Sequence, residues 1–89
     1  MSNTEKFVTA SVLDRFLAYA EDAANWSGCP LAGGNVGGDA ADKGYLVNMK
    51  KAGLITTTEE REGREISTWI EFTDKGVELA AAHGFSVYE

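Results

Sequence analysis

Lys43, Asn48, Lys50 and Lys51, followed by Arg61 and Arg64, are the residues of this chain whose types and spacing suit contact with a polyanion. Lysine offers a point charge to phosphate, asparagine can pair with the edge of adenine, and the planar fork of arginine can bind phosphate through two hydrogen bonds. Each group also has a plainer reading. Lys50 and Lys51 fall in the last turn of a predicted helix, where cations complement the helix dipole, and Lys43 fits a solvated face. Arg61 and Arg64 are interleaved with Glu59, Glu60, Glu62 and Glu65, a pattern that cross-strand ion pairs on an exposed hairpin explain as well.

Other residue types lead less far. The GGNVGG run suggests a phosphate cradle, but a P-loop needs a Gly-Lys-Ser/Thr ending, and here Gly38 is followed by Asp39, whose charge repels phosphate. It reads as a tight turn before a helix. Cys29 has no second cysteine to pair with. With His83 it makes neither a four-ligand zinc site nor an evident nucleophile and base, so no metal, cofactor or enzymatic activity is expected. Trp26, Tyr45 and Trp69 read as core or interface aromatics, with Trp69 and Tyr45 as candidate anchors for a protein partner.

The elements that must position these residues follow from periodicity. Leu13, Phe16, Leu17, Ala20 and Ala24 recur at helical spacing, which predicts a helix from Thr9 or Ser11 to about Asn25. Ser11 and Asp14 approximate a capping box at its start. A glycine-rich loop follows, with a short extended piece near Leu31 and Ala32; six of the ten glycines lie between Gly28 and Gly44. A second helix spans about 39–52, with Asp39 as its N-cap and Gly53 just past its end. Two strands flank the charged EEREGRE tip: Leu54 to about Glu59, then Ile66 to Phe72, in which Ile66, Thr68, Ile70 and Phe72 alternate with Ser67, Trp69 and Glu71. A last helix begins at Thr73 or Asp74 and ends at Gly84. Phe85 or Val87 of the tail can pack back on the domain.

Length and composition bound the rest. A chain of 89 residues makes one domain, 1–89, with 1–8 as a flexible arm. So small a domain buries a limited share of its surface, and a homodimer partner would add to it. The N-terminus lacks a basic start and apolar run, no segment is long and apolar enough to span a membrane, and a single cysteine suits a reducing compartment. A cytoplasmic location is expected. The net charge of -6 sets a limit on nucleic-acid binding, since neutralising phosphates supplies most of its affinity.

The segment Leu46 to Gly76 resembles the winged-helix domains of the MarR-type transcriptional regulators. The likeness rests on the Lys50-Lys51-Ala52-Gly53-Leu54-Ile55 turn, the charged tip from Glu59 to Glu65, and the Thr73-Asp74-Lys75-Gly76 step into a helix. It implies a small α+β fold ordered helix, Gly-rich loop, helix, β-hairpin wing, helix. It further implies a regulator that inserts a recognition helix, about 39–52, in the major groove of duplex DNA. A wing, about 54–72, would lie beside it. Ser27 to Gly38, just before that helix, is too rich in glycine for the supporting helix of a helix-turn-helix. The other reading is an acidic winged-helix module for protein-protein interaction that binds no DNA, of a size that suits a phage or mobile-element accessory protein.

Overall fold

The computed structural model describes residues 8–87 apart from Ser27 and Asn35. Three helices and an antiparallel hairpin follow one another: α1 (Ala10–Asp22), α2 (Asp42–Lys51), β1 (Ile55–Glu62), β2 (Glu65–Phe72) and α3 (Asp74–Ala82). Most of the expected arm, 1–8, lies outside the described residues; Val8 packs against the core.

Helix α1 starts earlier than the Ser11 capping box predicts. Thr9 is the N-cap, in extended conformation, and its hydroxyl accepts from the Val12 N–H at 3.3 Å. Ser11 and Asp14 sit within the helix and are exposed. The buried stripe is accordingly rotated by about one residue. Val12, Phe16, Tyr19, Ala20 and Ala23 face inward, Leu13 and Leu17 flank them, and Ala24 is exposed. Rotation puts the Tyr19 hydroxyl inside, where it has a charged partner described below. After Asp22 the chain tightens into a 3-10 turn, Ala23–Trp26. Gly28 then takes a left-handed φ of 96° and donates to the Ala23 carbonyl at 2.8 Å.

The glycine-rich segment is held to the sheet. The Ala32 N–H donates to the Thr68 carbonyl at 2.8 Å, and the Ile70 N–H donates to the Pro30 carbonyl at 2.9 Å. These bonds set residues 30–32 antiparallel along one edge of β2, with Leu31 opposite Trp69. β1 occupies the other edge, in a register running from Ile55 opposite Phe72 to Glu62 opposite Glu65. The strand therefore extends past the expected Glu59 to Glu62, and Gly63 turns the chain with a φ of 63°.

Helix α2 begins at Asp42, three residues later than Asp39 as N-cap would require. Ala41 holds the cap position without a side-chain bond, and the Asp39 carbonyl accepts from the Asp42 N–H at 3.2 Å. The carboxylate of Asp39 is engaged elsewhere. The end of α2 is as expected: Gly53 is left-handed, its N–H bonds the Lys50 carbonyl, and the Leu54 N–H bonds the Met49 carbonyl. α3 ends through the same pattern at Gly84 and Phe85, whose N–H groups reach Ala81 and Ala80.

The core forms where α1, α2 and the root of the hairpin meet. Phe16 and Phe72 pack edge to face at 5.6 Å, among Met49, Leu54, Ile55, Ile70, Ala80 and Val87. Thr73 caps α3 and ties it to the hairpin's start. Its hydroxyl accepts from the Gly76 N–H at 3.1 Å and donates toward the carbonyls of Gly53 (2.6 Å) and Leu54 (3.1 Å). A Cβ at Gly76 would land on the Leu54 carbonyl oxygen, so only glycine fits the third position after Thr73.

Candidate nucleic-acid interface

Strand alternation sorts the charges of the hairpin in a way that a linear reading of EEREGRE does not convey. Cross-strand partners share a face, so Ile55/Phe72, Thr57/Ile70, Glu59/Thr68 and Arg61/Ile66 point to the α2 side. Thr56/Glu71, Thr58/Trp69, Glu60/Ser67 and Glu62/Glu65 point to the other. Four glutamates thus lie on the face away from α2, whereas Arg61 shares a face with α2's lysines. Arg61 stands opposite Ile66, and Glu62 opposite Glu65, so the cross-strand ion pairs of the plainer reading do not form. Among the described residues neither Arg61 nor Arg64 lies within salt-bridge distance of a carboxylate. Arg64 occupies the turn itself.

Helix α2 presents Lys43, Val47 and Lys50 at i, i+4 and i+7, one exposed stripe. Together with Leu46 it forms one wall of a groove of about 490 Å³, whose opposite wall is Thr57, Glu59 and Thr68 of the hairpin. The Lys50 ammonium reaches the Thr57 hydroxyl at 3.5 Å. Lys51 is exposed one step round the helix from Lys50, and Asn48, half-buried, is on that same side. Lys43 and Lys50 therefore line the groove, and Arg61 lies farther along the same hairpin face. Asn48 and Lys51 turn away from the groove, Asn48 to nearly the opposite side of α2 from Lys50. Asp39, Asp42 and Glu59 also line the groove, so its charge is mixed.

Two of those carboxylates are already taken. Arg15 reaches across from α1 and binds Asp39 at 2.9 Å and Asp42 at 2.7 Å. The buried Tyr19 hydroxyl lies 2.9 and 3.0 Å from the two Asp42 carboxylate oxygens and accepts from the Gly33 N–H at 3.2 Å. Burial pushes the Tyr19 phenol well above its ordinary pKa, and the hydrogen bond from Arg15 holds the Asp39 carboxyl below the usual range. Gly37, left-handed at φ 82°, passes so close that a Cβ would strike both the Tyr19 hydroxyl and the Asp42 carboxylate. The clamp fixes the glycine-rich loop and the start of α2 against α1. Nothing in the linear sequence pairs Arg15 with aspartates 24 and 27 residues away.

The two aromatic candidates for partner binding are engaged within the domain. Arg15 stacks over the Tyr45 ring at 5.0 Å. Trp69 meets Trp26 edge to face at 5.5 Å, and the two indole N–H groups donate to different carboxylates, Trp69 to Glu60 at 2.9 Å and Trp26 to Asp22 at 2.8 Å. Cys29 is half-buried, His83 is exposed at the end of α3, and among the described residues no three His, Cys, Asp or Glu side chains cluster to hold a metal. No helix is long and apolar enough to cross a membrane, among the described residues. No protein-family model, curated protein or solved structure matches this chain.

Proposed function

We propose that this protein is a winged-helix regulator that binds duplex DNA, with α2 in the major groove and the hairpin as its wing. The observation that carries the reading is the sorting of charge across the hairpin: four of its five glutamates face away from α2, while Arg61, with Glu59, shares the side of Lys43 and Lys50. The net charge of -6 is thus unevenly distributed, and a locally basic surface is compatible with it. Arg15 offsets one of the two negative charges that Asp39 and Asp42 place at the start of α2. In this arrangement Lys43 and Lys50 hold phosphates, Lys51 reaches the backbone to one side of them, and Arg61 and Arg64 reach the flanking backbone or minor groove. Asn48, half-buried on the far side of α2 from Lys50, stays out of the contact.

The test is binding of labelled random duplex DNA at low salt, repeated as salt rises. Contact with three to five phosphates gives a log–log slope of about -3 to -5, and Lys43→Ala or Lys50→Ala each reduces its magnitude by about 1. Absence of binding at the lowest salt would remove the proposal. A second reading then takes its place: a protein-interaction module whose outer hairpin face, with Glu60, Glu62, Glu65 and Glu71, receives a basic partner.

A further inference from the structure

Among the described residues the free edge of the sheet belongs to β1, and its chemistry is self-complementary. The bonds from Ala32 to Thr68 and from Ile70 to Pro30 show that Thr68 and Ile70 direct their main-chain groups toward residues 30–32. Main-chain direction alternates along a strand, so Trp69, Ser67 and Glu71 turn theirs toward β1, where their partners are Thr58, Glu60 and Thr56. The intervening residues of β1 therefore aim their N–H and C=O groups outward. These are Thr57, Glu59 and Arg61, and no described strand pairs with them. Glu59 and Arg61 are exposed and carry opposite charges two positions apart.

We propose that β1 pairs antiparallel with β1 of a second copy about a two-fold axis at Glu60, joining the two sheets into one. In this register Glu59 and Arg61 of each copy form main-chain hydrogen-bonded pairs with Arg61 and Glu59 of the other. Two reciprocal ion pairs then lie on the α2 side of the seam. An edge of uniform charge would guard against such pairing; the alternating signs at 59 and 61 instead select this register. Glu60 meets its own copy across the axis, on the outer face, where its carboxylate is drawn along its own sheet to the Trp69 indole at 2.9 Å. Because a two-fold axis normal to the sheet preserves its faces, both α2 helices fall on one side of the joined sheet.

This inference concerns self-association and stands apart from whether DNA is the ligand. Sedimentation velocity from about 1 µM to about 1 mM protein tests it, with affinity read from the monomer–dimer balance. The expected result is a dimer that weakens about tenfold or more in Arg61→Glu, and likewise in Glu59→Arg, because each turns two attractions into two repulsions. The double variant Glu59→Arg/Arg61→Glu restores wild-type dimerisation. Glu59→Pro removes an outward N–H without touching the β1–β2 ladder, so it abolishes the dimer while far-UV circular dichroism stays unchanged. A monomer at all concentrations would overturn the proposal. So would a dimer indifferent to these changes, a double variant that folds yet stays monomeric, or occupation of this edge only by a strand from another protein. DNA binding by Glu59→Pro, which keeps Arg61 and adds no positive charge, is measured separately and keeps the two proposals distinguishable.

Discussion

The domain has two junctions that depend on glycine, and they are secured by different means. At the step from hairpin to α3, Gly76 lies against the Leu54 carbonyl and Thr73 bonds the main chain on both sides of it. At the loop before α2, Gly37 lies against the Tyr19 hydroxyl and the Asp42 carboxylate, and Arg15 closes the cluster. The first junction is main chain held by main chain and one hydroxyl. The second is main chain held by ionisable side chains from a distant helix. The first should therefore respond to volume alone, the second to charge and pH.

The strongest way to break that contrast is Gly76→Ala. The added methyl group meets a carbonyl that cannot move without shifting the hairpin root, and destabilisation of about 3 kcal/mol is expected. For a domain of this size that is a fall in melting temperature of roughly 15 °C, the same at pH 5 and pH 8. A small effect, or one that varies with pH, would break the contrast.

Next comes Arg15→Met, which keeps the side chain's length and removes its charge. Asp42, only 6% exposed, then keeps Tyr19 as a partner but loses its cation. The expected cost is about 2 kcal/mol at neutral pH, somewhat below that of breaking a fully buried pair because Arg15 retains some exposure. Urea unfolding measures it, and the loss of amide-exchange protection should concentrate at Gly33 and the first turn of α2.

The smallest effect sharpens the comparison through pH. Arg15 lowers the folded-state pKa of Asp39, so this carboxylate adds stability that is present above its unfolded value of 3.8 and fades as pH falls through the folded value. Asp39→Asn should then lower the urea midpoint at pH 6 and match the wild type in strong acid. A difference that persists unchanged into acid would mean that Asp39 acts through shape and not charge.

The same contrast explains what was legible in the sequence. The hairpin, the Thr73 cap, and the glycines at 53, 63 and 84 rest on neighbours within a few residues, and local pattern reaches that far. Thr9 and Ser11 both offer a capping hydroxyl at the start of α1, and the structure takes Thr9; the choice depends on which face of α1 the core needs. Asp39 looks like an N-cap by its place after two glycines, yet Arg15 draws its carboxylate away. The strip 30–32 was visible only as a short extended piece, since its partner strand lies more than thirty residues on. For the candidate site, residue types pointed to α2 and the hairpin, but only the register separates Arg61 from Glu60, Glu62 and Glu65 while leaving Glu59 on its face.

The contact between Trp26 and Trp69 also has an optical consequence. These are the chain's two tryptophans, 5.5 Å apart at a fixed angle. Excited-state coupling between the indoles should give the native protein a paired ellipticity signal that neither ring yields alone. It joins the end of α1 to β2, across the edge where residues 30–32 dock. Loss of that signal ahead of far-UV helicity would time the detachment of the loop without any label.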